Sequence, residues 1–191
     1  MSPAPNSRLP IDPSTHLPSI QSFDELGRFL GSAAADEESL QLANGMSGLA
    51  RGVESVLSHL KRKPDPAAHA ARLMDLMTIL REHRTLVIGL SPAWRGLYEY
   101  AAYLAALNNF RVLIGQWLLA ANPQAKPEEA DPQGISFADF ELVAWRTLGE
   151  GMLLIDMWDQ LRGKEPSESG PVSLDSSRVE RAKGWWGRLR R

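Results

Sequence analysis

Four histidines are the residues of this chain best equipped to move protons or hold a metal, and their spacing argues against both. His16, His59, His69 and His83 form no His-x-x-x-His pair, the spacing that sets two imidazoles on one helical face around zinc. No Glu-x-x-His places a carboxylate one turn from an imidazole, as helical bundles do to hold paired metal ions. The sequence therefore predicts ordinary histidines, with His16 in an N-terminal arm and the other three near helix ends or on exposed faces. The Asp and Glu residues are scattered, and no glycine-rich run is followed by the Lys-Ser/Thr of a phosphate cradle. Cysteine is absent; that excludes disulfide and thiolate chemistry and fits a reducing cytoplasm. No metal and no cofactor are expected.

One serine has a suggestive setting. Gly89-Leu-Ser91-Pro-Ala93 follows the β-branched run at 85–88 and precedes a helical pattern. It resembles the nucleophile elbow of the α/β-hydrolases, Gly-x-Ser-x-Gly, with Ala93 in the last glycine's place. That resemblance implies a nucleophilic Ser91 and an oxyanion held by the next backbone N–H. The next residue is Pro92, which has no N–H, and one strand-like run cannot supply the sheet such a fold needs. Ser91 as a helix cap with Pro92 in the first turn explains the same residues. No catalytic residue is expected, and the chain is read as a non-enzyme.

The elements that would carry any site are helical. The chain of 191 residues, 43% hydrophobic and 23% charged, suits one domain with a sizeable core. Residues 1–21 hold five prolines and no apolar signal run, and read as a flexible arm. Residues 22–162 predict an all-α, compact bundle of about five helices. Ser22-Phe-Asp-Glu25 has capping-box spacing, and Gly31 is placed to end the helix it opens. Leu42, Met46, Leu49, Val53, Val56 and Leu60 alternate by four and three, which makes one apolar face. Lys61, Arg62, Lys63 and Pro64 end that helix, and Asp65-Pro66 opens the next, with Ala70, Leu73, Met77 and Leu80 inward.

The run Thr85–Leu90 is expected to be a buried helical turn or connector. Ser91-Pro92 should start a helix reaching Ala121 with a break near Asn108-Asn109. A loop at 122–135 then leads to Ser136-Phe-Ala-Asp139, a shorter-armed capping box before Phe137, Phe140, Ala144, Leu148, Met152 and Ile155. Trp94, Trp117, Trp145 and Trp158 read as core or core-edge residues, while Tyr98, Tyr100 and Tyr103 are candidates to line a groove. The most apolar stretch, 97–121, contains Glu99 and Arg111, which are costly in hydrocarbon, so a buried helix is expected there and not a membrane span.

Binding residues are sought in two places. Gly45, Gly48 and Gly52 lie beside the apolar seam of the second helix, and each costs up to about 1 kcal/mol relative to alanine. Such residues admit another backbone closely, either within the monomer or from a partner or second copy. The other place is the end of the chain. After a Ser/Glu/Pro/Gly-rich linker at 163–177, residues 178–191 carry six basic residues against Glu180, a net of +5. The remaining 15 basic and 22 acidic residues leave 1–177 at −7. Trp185, Trp186, Arg188, Arg190 and Arg191 make this tail a basic amphipathic segment suited to an acidic partner, to an anionic membrane surface, or to its own acidic body. The acidic body argues against nucleic acid as the main ligand.

The expected function is a non-enzymatic helical interaction protein: an adaptor, chaperone-like or accessory subunit of a larger bacterial assembly, binding another protein or a second copy. The composition, rich in Ala, Arg, Leu and Pro, is of the kind GC-rich bacterial genomes encode. One alternative is a peripheral protein held at the inner face of the membrane by the tail. The other is an exported effector, since residues 1–21 resemble in composition the N-terminal signals of type III secretion substrates.

Overall fold

The structure is a computed structural model that describes residues 11–12, 17–18, 22–32, 36–122 and 136–162. Six helices carry most of them: α1 (Phe23–Ser32), α2 (Glu37–Leu60), α3 (Ala70–Gly89), α4 (Pro92–Arg95), α5 (Tyr98–Ala120) and α6 (Phe137–Leu161). A 3-10 turn, Ala67–His69, precedes α3, and two strands of two residues, Ile11–Asp12 and Leu17–Pro18, pair antiparallel. The class is all-α, as the periodicity predicts. The rest of the expected N-terminal arm, the linker at 163–177 and the basic tail at 178–191 lie outside the described residues.

Two of the helices, α2 and α6, start at side-chain caps. Asp36 accepts the Ser39 N–H at 2.8 Å and opens α2 five residues before the first residue of its apolar stripe. Ser136 and Asp139 form the reciprocal box at α6, with the Asp139 N–H 3.1 Å from the serine hydroxyl and the Ser136 N–H 3.3 Å from the carboxylate. The whole expected stripe of α2, from Leu42 to Leu60, is buried. At about 1.5–3 kcal/mol for each fully buried large aliphatic side chain, this burial outweighs the weak propensity of a helix with three glycines.

The four long helices close into a ring in which α2 and α5 each pack against both α3 and α6. Facing residues run in opposite directions along each pair. Gly45 meets His83 while Gly52 meets Leu76, and Tyr103 meets Gly151 while Phe110 meets Phe140. The result is an up-down-up-down bundle with α2 and α5 on its diagonal; α1 lies on α2.

The run Thr85–Leu90 is helical as expected, residues 85–89 being the end of α3, although only Val87 and Leu90 of it are buried. Several other expectations are corrected. The inward face of α3 uses Leu73, Leu76, Leu80, His83 and Val87, whereas Ala70 and Met77 are half-buried. The break expected at Asn108-Asn109 falls instead at Gly96-Leu97, between α4 and α5. Asn108 does not disturb α5 because its Oδ1 accepts from Arg84 Nε on α3 at 2.9 Å, which occupies the side chain that would otherwise compete for backbone. The tyrosines form no shared groove: Tyr98 is exposed, whereas Tyr100 and Tyr103 are buried.

Ser91 caps nothing with its side chain. Its N–H and its Oγ both donate to the Glu38 carboxylate at 2.8 Å, and the Trp94 indole donates to the same group at 3.0 Å. Trp94 stacks on Trp158 with ring centroids 3.9 Å apart, and the Trp158 indole donates to Asp36 at 3.0 Å. Arg162 closes on the same aspartate at 3.2 Å. Burial pushes the Asp36 carboxyl up, but the Ser39 N–H, the Trp158 indole and the Arg162 charge outweigh it and hold the group below the usual carboxylate range. Two carboxylates at the start of α2 thus clasp the stacked indoles of α4 and α6. Trp94, Trp117 and Trp158 are core residues and Trp145 lies at its edge.

Candidate functional site

The contact between α2 and α3 brings together the glycines singled out in the sequence and a histidine placed wrongly by it. His83 is 3% exposed and lies on the inward face of α3, not at a helix end or surface. It continues the stripe set by Leu76, Leu80 and Val87, so helical phase carries it into the core whatever its polarity. Its Nε2 and the Tyr103 hydroxyl are 2.6 Å apart. Its Nδ1 faces Gly45 and meets no hydrogen-bond partner among the described residues.

Burial lowers the His83 pKa to about 4, and burial likewise pushes the Tyr103 hydroxyl up. Both groups are therefore neutral at pH 7. A protonated tyrosine thus sits beside an unprotonated imidazole, both of them buried. Space for them comes from two glycines: a Cβ on Gly45 would collide with the imidazole, and one on Gly151 would lie 2.7 Å from the Tyr103 ring and from Met46.

Above this pair, α2 and α3 enclose an open groove of about 620 Å³, within the range of about 300–1,000 Å³ typical of ligand sites. Gly45, Gly48 and Gly52 all line it, and they do different things. Gly45 is required by His83. Gly52 lets Leu76 and Ile79 approach, since a Cβ there would sit 3.1 Å from each. Nothing lies within 4 Å of a Cβ built on Gly48, so that glycine opens the groove without serving the packing beneath it. Arg51 and Arg72 line the groove with Asp75 and Glu82, and among the described residues no ion pair involves any of the four.

A second hollow of about 580 Å³ lies between α1, α2 and α6, where the tilted rings of Phe23 and Trp145 meet with centroids 4.7 Å apart beside Glu54 and Glu141. Ser91 is engaged by Glu38 and has no imidazole partner among the described residues. No group of three or more potential metal ligands occurs among the described residues, and no helix of the described part is long and apolar enough to cross a membrane. Of the expected partner-binding residues, the three glycines are gathered along one groove, while Trp185, Trp186, Arg188, Arg190 and Arg191 lie outside the described residues. No protein-family model, curated protein or solved structure matches the chain.

Proposed function

We propose that this chain is a non-enzymatic helical interaction protein, an adaptor, chaperone-like or accessory subunit, whose binding surface is the α2–α3 groove. The occupant that fits is an apolar-faced helix of another protein, laid along the glycine edge of α2. Its acidic residues would meet Arg51 and Arg72, and a basic residue would meet Glu82. A location in the cytoplasm belongs to the same reading and is supported by the absence of cysteine. The observation that carries the proposal is Gly48: a residue costly in a helix interior, unexplained by internal packing, at the open wall of an apolar groove.

The test is Gly48→Leu. A leucine there fills the groove and replaces a poor helix former by a good one, so the fold is retained. Affinity purification with the wild-type chain should retain a stoichiometric protein that, once purified, rebinds the wild type and not the variant. Equal retention by the variant, with both chains folded, would remove the groove from the account.

A further inference from the structure

The turn between α2 and α3 brings two of the histidines ring to ring. His59 lies in the last turn of α2, and His69 closes the 3-10 turn that precedes α3. Their ring centroids are 6.0 Å apart, with the planes inclined at 66°, and both residues are half-buried. Helical periodicity does not reveal the pair, because the chain reversal and not a shared helix face brings them together.

Each imidazole is held by one of its nitrogens. His59 Nδ1 lies 2.7 Å from the Ser55 carbonyl oxygen, and His69 Nε2 lies 2.9 Å from that of Lys63. A carbonyl oxygen only accepts, so neutral His59 carries its proton on Nδ1 and neutral His69 carries its proton on Nε2. The lone pairs are thereby left on His59 Nε2 and His69 Nδ1. Neither of these nitrogens is engaged among the described residues, and the His69 side chain does not cap α3. Metal-binding histidines are ordinarily prepared in this way: a backbone carbonyl takes the N–H, which fixes the tautomer and orients the ring.

The spacing fits a shared cation. An ion about 2.0–2.1 Å from one nitrogen of each ring sets the two centroids about 5–6 Å apart for tetrahedral and wider bond angles, and 6.0 Å lies at the upper end of that range. No third His, Asp or Glu joins the pair among the described residues, so water completes the coordination and the ion exchanges readily. Lys61 and Arg62 are exposed in the same turn, and Lys63 is paired with Asp65 at 3.2 Å. Their charge opposes a dication, which leaves the site to the metal with the greatest affinity for imidazole. Among the divalent first-row ions that is copper.

We propose that His59 and His69 form a two-histidine site for a divalent transition-metal ion, with copper(II) bound most tightly. Ser55, whose carbonyl holds His59, and Arg72, in the first turn of α3, both line the α2–α3 groove. The ion therefore pins the two groove walls to each other at the end where the chain turns. The site does not depend on the groove having an occupant.

The test is calorimetric titration of the full chain with copper(II) chloride across the micromolar range, together with pulsed electron paramagnetic resonance of the bound ion. The wild type should bind one ion per chain, show two coordinated imidazoles and melt at a higher temperature with copper than without. His59→Ala and His69→Ala should each weaken binding at least about tenfold, leave one imidazole in the spectrum and abolish the thermal shift. His16→Ala should change none of these. A wild type that binds no copper in this range would overturn the proposal. So would a wild-type spectrum with a single imidazole, which needs no variant to read, or affinity that survives both single changes.

Discussion

Helices α2 and α5 face each other across the bundle and solve the same packing problem with opposite surpluses. α2 places its large apolar residues inward, all but Leu40, and presents a glycine edge next to α3. α5 fills the core equally well but keeps apolar and small residues outside too, with Arg111 its one exposed charge. A core asks only for an inward stripe. What each helix carries beyond that stripe is left to the surface: the open groove beside Gly48 of α2, and Tyr98, Val112 and Leu119 among the exposed residues of α5.

The two helices are joined in their N-terminal halves by His83 of α3, which touches Gly45 of α2 and Tyr103 of α5. Acid should break that joint with the largest effect. The His83 pKa is about 4 in the folded chain against 6.5 when free, so the unfolded chain binds the proton first as pH falls. Stability is complete above about pH 6.5 and declines down to about pH 4, by about 3 kcal/mol. Denaturant unfolding at a series of pH values measures this, and His83→Gln should flatten the slope in that window.

Removing the space for the joint comes next. Gly45→Ala pushes a methyl into the imidazole and Gly151→Ala pushes one against Tyr103 and Met46, each costing about 1–3 kcal/mol in overpacking. Adding His83→Ala should relieve Gly45→Ala but not Gly151→Ala, a non-additivity that thermal melts can read. A smaller effect is expected away from the joint: Trp158→Phe keeps the stack on Trp94 but loses the indole donor to Asp36, lowering stability by about 1–2 kcal/mol. Smallest of all is the outer surface. Gly48→Leu should hold stability or raise it by up to about 1 kcal/mol, since leucine is the better helix former and nothing lies within 4 Å of its Cβ, while it removes the association at the groove.

Local pattern carried most of this architecture. The six residues of the α2 stripe, the box at Ser136 and the stop at Pro64 each depend on neighbours within a few positions, and sequence displays those directly. His83 was misread because a titratable residue between Glu82 and Arg84 looks like surface; its phase with Leu80 and Val87 was the available signal. The clasp was hidden for another reason. Glu38 meets Ser91 and Trp94, and Asp36 meets Trp158, across 53, 56 and 122 positions of chain, and no local spacing announces such pairs. The glycines were visible as anomalies, but only the helix opposite shows that Gly45 and Gly52 serve packing and Gly48 does not.

The proposed hold of another protein in the α2–α3 groove is open to direct crosslinking. Because the chain contains no cysteine, Gly48→Cys offers a single attachment point for a benzophenone crosslinker, with Arg111→Cys on the far side as comparator. Irradiated in native-cell extract, the label at 48 should give one defined adduct whose crosslinked peptide is an apolar-faced helix of another protein, and the label at 111 should not give it. No adduct at 48, or the same adducts from both positions, would contradict the account.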